Sequence, residues 1–423
     1  MSPTWRRWLG RLLLLLAALV FCELLARLVF PQPEVLNFNR IDFSHVDRFS
    51  GLDHAARGGE ETGPGAPLRP LRNVRILWAS DPDGFAFSQG LNLYGFRGPD
   101  FSIARPGGRQ RVLVLGDSVV EGCGAADDET LPAQLEERLG ADRFEVINLG
   151  VAGNRLPDYV RLASVAVPLL DPDIVVVVIY FNDLPAKELP ADYLSPGFTP
   201  ERPAWWEPRL AVAIRELLAD RPLAPFYARG PYPYFLPVPH PSNPLSKPGR
   251  DPEKDARVDP EILAAMKAGR FNPFLSDGAR LVERRLRRRK GMAAGVRRYV
   301  EALKRTAEAA NARLIVAYLP AHVTVSDDYQ AAWNRLGKDF RQRTLATQRS
   351  RWHQPALAEL LDGLQIPFVD TTPALVVREA AGERLFHAFD SHPNAHGYGV
   401  AAEELAHEIL ERDGGGSREG PST

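Results

Sequence analysis

The segment DIVVVVIYFND (residues 173–183) restricts the possible folds of this chain more than any other feature. Its apolar part is an unbroken run of β-branched and aromatic residues, which are the residue types that β-strands favour. Successive side chains of a strand point to opposite faces of its sheet, so a strand that is apolar throughout needs cover on both faces. Parallel sheets with helices on both sides provide that cover. The segment therefore predicts a central strand of an α/β protein.

Strand-like and helix-like segments alternate on both sides of this run. The segments that predict strands are RVLVLGDS, FEVINLG, RLIVAYLP and IPFVD (residues 111–118, 144–150, 313–320 and 366–370). Amphipathic segments that predict helices occupy residues 130–140, 158–170, 293–312, 350–363 and 397–412. This alternation is typical of a parallel sheet. We therefore predict one domain over residues 106–412, built as a three-layer α/β/α, flavodoxin-like sheet.

Residues 185–290 interrupt the alternation and are rich in proline, as in PYPYFLPVPHPSNP. Proline is incompatible with continuous helices and central strands, so we expect this insertion to lie over the surface as a lid or specificity element. The basic run Arg284–Lys290 is typical of a solvated helix face, with contact to anionic lipid or acidic glycan as the alternative. Aromatic residues of the insertion either wall a substrate cleft or pack the insertion onto the domain; they are Trp205, Trp206, Tyr232, Tyr234 and Phe235.

The N-terminus carries an apolar segment, Leu12–Phe30, which Arg6, Arg7 and Arg11 precede. As a helix its 19 residues would be roughly 28 Å long, enough to cross a bilayer. We predict a single-pass membrane anchor over residues 1–30, with a cleaved signal peptide and a buried soluble helix as the alternatives. The basic residues place the N-terminus in the cytoplasm and the rest of the chain outside, in the periplasm or the extracellular space.

The remaining composition limits the possible partners and cofactors. Residues 31–105 are predicted to be a juxtamembrane extension, and residues 413–423 a disordered tail. The formal net charge of −1 argues against a nucleic-acid binder, which would be basic over its whole domain. The two cysteines, Cys22 and Cys123, cannot build a disulfide framework or a cysteine metal site. We expect Cys123 to be a small core residue.

Four short polar motifs follow predicted strands. They are GDSVVEG, NLGVAGN, YFND and FDSHPNAHG (residues 116–122, 148–154, 180–183 and 389–397). The carboxyl ends of parallel strands meet at one edge of a sheet, where α/β proteins bind their ligands. The motifs would bring together a serine nucleophile, a histidine base, carboxylates that orient the base, and donors for an oxyanion. The chain order Ser, Asp, His also occurs in α/β-hydrolases, but the sequence has no G-x-S-x-G motif.

These motifs resemble those of the SGNH hydrolases. The resemblance covers residues 91–412 and includes the lead-in LYGFRGPDF (residues 93–101), which is similar to that of bacterial membrane-tethered members. It implies the SGNH hydrolase fold and acyl transfer through a serine. No metal or organic cofactor is implied.

The resemblance also implies a role for each matching residue. Ser118 would be the nucleophile and would donate its own backbone N–H to the oxyanion hole. Further donors would be the backbone of Gly153, where the missing side chain lets the substrate approach closely, and the side-chain amide of Asn182. His392 would act as general base and then as acid, and Asp390 would hold its ring in the right tautomer.

Two positions depart from the pattern of that family. The usual D-x-x-H is here Asp390-Ser391-His392, which is one residue shorter, a spacing also found among polysaccharide-acylating relatives. The glycine that often precedes the asparagine of the third motif is replaced by Tyr180-Phe181. The first departure bears on the role of Asp390, and the second on local geometry.

The residues near the C-terminus allow a second interpretation. His387, Asp390, His392 and His396 are close enough in sequence to form a metal site, in which case the Ser, Gly and Asn motifs would be coincidental. As the catalytic base we expect His392, since it precedes the turn into the last helix, whereas His396 should already lie at the start of that helix.

Taken together, these features predict a serine-dependent ester hydrolase outside the membrane, acting on acyl or O-acetyl esters of a carbohydrate or lipid. An O-acyltransferase that modifies cell-envelope glycans is the alternative with the same chemistry. A catalytically idle envelope binding or scaffold protein is the alternative of another class. Asp117 and Asp183 are expected to be structural and to hold the loops around the serine.

Overall fold

A computed structural model describes the chain in a series of segments. They are residues 3–29, 75–80, 85–90, 92, 94, 96–105, 107–152, 154–184, 244–246, 255–268, 271, 275, 292–337 and 353–414. Most of the predicted domain lies within these segments. Most of the insertion, most of residues 31–105, and Gly153 lie outside them.

Helix α1 (Pro3–Val29) contains the apolar N-terminal segment. Its stretch Arg7–Leu25 has a mean hydropathy of 2.1, and none of that stretch is buried in the structure. By length and composition α1 can cross a membrane, and a signal sequence at this position would have the same properties. The predicted apolar helix is confirmed, and the choice between an anchor and a cleaved signal stays a prediction.

The segment predicted to be a juxtamembrane extension contains an antiparallel strand pair that the sequence analysis did not anticipate. Strand β1 (Arg75–Ser80) pairs with β2 (Phe85–Gly90), with Arg75 opposite Gly90 and Ser80 opposite Phe85. The two strands are only six residues each and lack a long apolar run, which explains why they were missed. The sequence DPDG between them is rich in turn-forming residues and is the signal that would have indicated a hairpin.

The segment that precedes the main sheet already belongs to the domain. Asn92 donates from its side-chain amide to the carbonyl of Pro99 at 3.1 Å, and its amide oxygen accepts the N–H groups of Tyr94 and Phe96. Tyr94 and Phe96 are buried in the hydrophobic core. The core of the domain therefore includes residues upstream of residue 106, and the predicted domain bounds stay a prediction.

The main sheet contains five parallel strands in the described part of the chain. They are β3 (Gln110–Gly116), β4 (Phe144–Gly150), β5 (Ile174–Tyr180), β6 (Arg313–Leu319) and β7 (Phe368–Asp370). Their spatial order is β4-β3-β5-β6-β7. The chain runs outward in one direction from β3 to β4 and then crosses back to β5, which is the strand order of flavodoxin-like sheets. The predicted fold class is confirmed.

Strand β5 lies in the middle of this sheet, between β3 and β6. All seven of its side chains are buried, as the unbroken apolar run predicted. It pairs with β3 from Ile174 to Val177 and with β6 over its whole length, so that Tyr180 lies opposite Leu319. The residues that follow β5 therefore emerge at the centre of the carboxyl edge of the sheet.

Helices cover both faces of the sheet. They are α2 (Ser118–Glu121), α3 (Leu131–Leu139), α4 (Leu156–Leu170), α5 (Pro260–Lys267), α6 (Met292–Ala309), α7 (Asp327–Asn334), α8 (His353–Gly363), α9 (Thr372–Ala380) and α10 (Ala395–Gly414). On one face α3 packs against β4 and α10. On the other face α4 packs against β3, β5 and α6, and α6 packs against β6 and α8. The three layers are those predicted from the alternation.

Part of the predicted insertion is core rather than surface. Helix α5 begins at an N-cap, Asp259, whose carboxylate also pairs with Arg335 at 2.9 Å. Val258 and three residues that follow are buried in the main hydrophobic cluster; these three are Ile262, Met266 and Phe271. None of the described residues of 185–290 joins the sheet. The expectation that this whole segment lies over the surface is wrong for these four buried residues, and the function as a lid stays a prediction.

The last helix is longer than predicted. Helix α10 runs to Gly414, two residues into the predicted disordered tail. The carboxylate of Asp413 accepts a hydrogen bond from the side chain of Gln110 at 3.0 Å and pairs with Arg143 at 3.4 Å. These contacts attach the end of α10 to the start of β3. The remaining tail, residues 415–423, lies outside the described residues.

Candidate active site

Ser118 is the first residue of α2 and follows the end of β3 by two positions. Asp117 caps this short helix, since its carboxylate accepts the N–H of Val119 at 3.1 Å. Gly116 and Gly122 bracket the turn. A Cβ on Gly116 would lie 2.3 Å from a valine side chain of α2, and Gly122 has a φ of +90°, so both positions favour glycine. The G-D-S motif therefore forms a tight turn that leaves Ser118 half-buried at the edge of the sheet.

Three of the predicted site residues lie in hydrogen-bonding contact. His392 Nε2 lies 2.8 Å from Ser118 Oγ, although 274 positions separate the two residues in the chain. The other ring nitrogen, His392 Nδ1, is hydrogen-bonded to Asp390 Oδ1. The same oxygen accepts the backbone N–H of His392 at 3.0 Å. Asp390 thus fixes both the ring and the backbone of His392, and the short D-S-H spacing is compatible with this contact.

The charges of this pair shift its two pKa values in opposite directions. Burial opposes the charge on the Asp390 carboxylate, but the attraction and hydrogen bonds of His392 outweigh it and hold the pKa of Asp390 well below its usual range. Burial lowers the pKa of His392, but the attraction and hydrogen bond of Asp390, with smaller contributions from Asp117 and Glu121, together raise it above its ordinary value. Asp390 is therefore ionised, and His392 is a stronger base than a histidine in water.

Asn182 lies beside the serine turn at the end of β5. It belongs to a 3₁₀ turn, Phe181–Asp183, and its side-chain amide donates to Asp117 Oδ2 at 2.9 Å. Asp183 is held from two sides, because it accepts the hydroxyl of Tyr159 at 3.0 Å and the backbone N–H of Tyr180 at 2.9 Å. Both aspartates hold loops together, as predicted.

The loop after β4 carries the predicted glycine donor. Gly153 itself lies outside the described residues, so its role in an oxyanion hole stays a prediction. Its neighbours are well held: the backbone N–H of Ala152 donates to the Glu121 carboxylate at 2.5 Å, and that of Asn154 donates to the carbonyl of Val151 at 3.1 Å. Glu121 is a site residue that the sequence analysis missed, although it lies within the GDSVVEG motif.

A comparison with protein-family models matches residues 114–400, which is more than half of the chain, to the GDSL-like Lipase/Acylhydrolase family. This chain belongs to that family. The resemblance to SGNH hydrolases is thereby confirmed, and membership makes the protein an enzyme that hydrolyses ester bonds. The match begins inside β3 and ends inside α10, so it contains every predicted site residue.

Similar folds occur among solved structures, and no curated protein sequence matches the chain. A lipase/acylhydrolase from Enterococcus faecalis is 12% identical, with 72% of this chain and 97% of that chain covered and a TM-score of 0.36. A catalytic mutant of an acetylxylan esterase from Geobacillus stearothermophilus has the same identity and TM-score, with 72% and 96% covered. The esterase EstA from Pseudoalteromonas is 12% identical, with 72% and 99% covered and a TM-score of 0.34. The family assignment rests on the family model, because similarity at this level carries no functional argument.

In this GDSL-like protein the two histidines that flank His392, His387 and His396, point elsewhere. His387 Nε2 lies 2.8 Å from the carbonyl oxygen of Gly124, to which it must donate its proton. His396 is exposed at the start of α10. Among the described residues, no three His, Cys, Asp or Glu side chains are placed to share a metal ion. The nitrogens of His392 instead contact Ser118 and Asp390.

The lead-in of the family domain supplies an arginine that the sequence analysis did not select. The Arg97 side chain is 1% exposed. It pairs with Asp127 at 2.8 Å and donates to the carbonyls of Gly122 and Ala125. Arg97 therefore holds the loop that follows the serine helix. Its position between two glycines in GFRG was the available signal.

A buried histidine lies near His392. His322 is fully buried at the end of β6, and burial lowers its pKa to about 3, so its ring is neutral. Its ring packs at 4.5 Å, edge to face, against that of Trp333. The indole N–H of Trp333 donates to the carbonyl of Phe389, the residue before Asp390, at 3.0 Å. His322 and Trp333 thus form an aromatic layer that packs against the segment leading into Asp390. No sequence motif indicated this layer.

Cys123 follows the serine helix and is fully buried. Its carbonyl accepts the hydroxyl of Tyr398 at 2.8 Å, which ties the region to α10. Burial raises the pKa of the Cys123 thiol, so the thiol is uncharged. The prediction that Cys123 is a small core residue is confirmed.

Proposed function

We propose that this protein hydrolyses its ester through a Ser118 acyl-enzyme, with His392 as the proton carrier and Asp390 as the group that orients it. The observation that supports this proposal is the chain of contacts from Ser118 Oγ through His392 to Asp390. A serine hydroxyl is a weak nucleophile by itself and becomes reactive when a neighbouring base accepts its proton.

In the first step Ser118 Oγ attacks the carbonyl carbon of the ester while His392 Nε2 takes the hydroxyl proton. The carbonyl π electrons move to oxygen, and a tetrahedral oxyanion forms. Asp390 stabilises the positive imidazolium that results. When the intermediate collapses, the C–O bond to the alcohol breaks and His392 returns its proton to the departing oxygen. The products of this step are the free alcohol and acylated Ser118.

The oxyanion needs hydrogen-bond donors that are in place before the reaction. We propose the backbone N–H of Ser118, the backbone N–H of Gly153 and the side chain of Asn182. An amide NH₂ group carries two hydrogens, and Asp117 accepts one from Asn182, which orients the group beside the serine turn. The second hydrogen would then serve the oxyanion.

In the second step a water molecule or another hydroxyl attacks the acyl-enzyme. His392 accepts the proton of the attacking oxygen and then protonates Ser118 Oγ as the acyl group leaves. Water as the acceptor gives an esterase, which is the function we propose. A carbohydrate hydroxyl as the acceptor would give an acyltransferase with the same residues.

A fluorophosphonate probe tests the nucleophile, because it reacts with activated serines but not with ordinary hydroxyl groups. We expect the purified protein to be labelled and Ser118→Ala to abolish the labelling. Chelator treatment should leave the labelling unchanged, and sensitivity to chelators would instead favour a metal site. A folded protein that takes up no label would contradict the proposal and favour a binding or scaffold protein.

Release of p-nitrophenol from p-nitrophenyl acetate separates the hydrolase from the transferase. We expect steady release in buffer alone, because water then resolves the acyl-enzyme. A burst that stops until a sugar acceptor is added would identify a transferase.

We further propose that α1 holds the domain outside the membrane, next to acylated carbohydrates or lipids, which supply its substrates. A reporter that is active only after export, fused after Gly414, should then be active. Washing membranes with concentrated salt should leave the protein bound if α1 is an anchor. Activity of a reporter that works only in the cytoplasm would contradict this topology, and release into the soluble fraction would indicate a cleaved signal.

A further inference from the structure

The two departures from the family pattern lie in contact with each other. Tyr180 occupies the position at the end of β5 where a glycine often stands, and Ser391 lies within the shortened D-S-H motif. The hydroxyl of Tyr180 donates to the backbone carbonyl of Ser391 at 2.7 Å, across 211 positions of the chain. Tyr180 is 2% exposed, so water does not compete for this bond.

We propose that Tyr180 is a positioning residue that holds the Asp390–His392 segment in place from the β5 side of the site. This inference rests on the proposed function of His392 as the base.

The geometry of the base loop explains why this contact matters. Backbone bonds close the loop at its two ends, from Asn394 N to the carbonyl of Leu385 and from His387 N to the carbonyl of His392. The carbonyl of Ser391 belongs to the peptide unit that leads into His392. Fixing that carbonyl fixes the plane of the peptide, and the plane sets the direction in which the imidazole leaves the backbone.

Tyr180 also connects the two halves of the site. It ends β5, and Asn182, the proposed oxyanion donor, follows two residues later. The backbone N–H of Tyr180 is bonded to Asp183, so its main chain is held within the third motif while its hydroxyl holds the fourth. Tyr180 therefore links the segment that carries the proposed base directly to the strand end that carries the proposed oxyanion donor. Burial raises the pKa of Tyr180 well above its ordinary value, so the hydroxyl keeps its proton.

The test compares Tyr180→Phe with a matched control on the neighbouring strand. Tyr318 on β6 is also a buried tyrosine, and its hydroxyl lies 3.1 Å from His353 Nδ1, in a contact outside the proposed site. Each Tyr→Phe variant removes one buried, hydrogen-bonded hydroxyl and keeps the ring. Both should therefore lose similar stability, which melting temperatures will measure.

For Tyr180→Phe we expect kcat for p-nitrophenyl acetate to fall by about tenfold to a hundredfold with KM nearly unchanged, since a misplaced base slows the chemistry but not binding. The rate of fluorophosphonate labelling should fall by a similar factor. The downfield NMR signal of the His392 Nδ1 proton should broaden or shift. Tyr318→Phe should keep the wild-type kcat, labelling rate and NMR signal.

The other outcomes decide against the inference. Equal kcat values for wild type and Tyr180→Phe would overturn it, and so would equal losses in the two variants. A Tyr180→Phe protein that fails to fold while Tyr318→Phe folds would assign the hydroxyl to global stability and also overturn it. An unlabelled and inactive wild type would instead contradict the proposed function, and the inference would fall with it.

Discussion

The nucleophile turn (Gly116–Gly122) and the base loop (Leu385–Asn394) each bring one buried aspartate to the site, and the two carboxylates behave in opposite ways. Burial raises the pKa of Asp117, and this effect is larger than that of its hydrogen-bond donors. Burial also opposes the charge of Asp390, but the attraction and hydrogen bonds of His392 together outweigh it and hold the pKa of Asp390 well below its usual range.

The difference comes from the partners. Asp117 accepts hydrogen bonds from two neutral groups, the N–H of Val119 and the amide of Asn182. Asp390 is hydrogen-bonded to the imidazole of His392, which would become positive in the proposed reaction. Burial alone therefore does not set the role of a carboxylate. Asp117 shapes the site through hydrogen bonds, whereas Asp390 also tunes the charge of the base.

Removing the base itself should have the largest effect. We expect His392→Ala to lower kcat by about four to six orders of magnitude, as loss of a triad member does. His396→Ala should change it little, since His396 is exposed at the start of α10. The measurement is hydrolysis of p-nitrophenyl acetate by both variants. Comparable losses at the two positions would contradict the assignment of the base.

Asp390→Asn should give the next largest loss, about 10⁴-fold in kcat, because the amide no longer favours the correct tautomer or the imidazolium. The wild type should lose activity as pH falls through the pKa of His392, since only the neutral imidazole accepts a proton. That pKa lies above the ordinary value of about 6.5, and Asp390 is the main cause of its increase. The acid limb of the pH–rate profile should therefore move to lower pH in the variant. An unchanged acid limb would show that Asp390 does not tune the base.

Asp117→Asn should reduce kcat by only about tenfold to a hundredfold. The new amide nitrogen cannot accept the hydrogen bond of Asn182, so the proposed oxyanion donor loses its orientation. Because Asp117 attracts the imidazolium less than Asp390 does, the acid limb should move less than in Asp390→Asn. The pH–rate profiles of both variants, recorded under the same conditions, measure these two shifts of the acid limb. A larger shift of the acid limb for Asp117→Asn than for Asp390→Asn would show that Asp117 has the stronger effect on the pKa of His392.

Glu121 supports the oxyanion side from further away and should give the smallest effect. Glu121→Ala removes the acceptor of the Ala152 N–H and should lower kcat about fivefold, which corresponds to ~1 kcal/mol. Glu121→Gln keeps an acceptor oxygen and should stay within about twofold of wild type. The kcat values of the two Glu121 variants distinguish the loss of the hydrogen bond from the loss of the charge. If the Gln variant loses as much as the Ala variant, the charge of Glu121 is what matters.

Much of the fold could be predicted because its signals are local. The apolar run of β5 and the amphipathic segments on both sides indicated a covered parallel sheet, and the structure has it. The hairpin of β1 and β2 was missed, because two short strands give little periodicity. The burial of α5 was missed for another reason. Proline content was averaged over residues 185–290, which hid one short amphipathic helix with buried Ile262 and Met266.

The first three polar motifs could be placed at the carboxyl edge of the sheet from the sequence, because each directly follows a strand and parallel strands end at the same edge. Ser118 and Asn182 could be selected on that basis. His392 was selected through the resemblance to SGNH hydrolases, since helix α9 separates its motif from β7. The tertiary structure was needed to show which of three nearby histidines contacts Ser118, and that the pKa of Asp390 is lowered while that of Asp117 is raised. It also decided that Tyr180 reaches the base loop. Such contacts depend on loop conformations that bring distant positions within 3 Å, as at His392 and Ser118, and local sequence patterns carry no information about them.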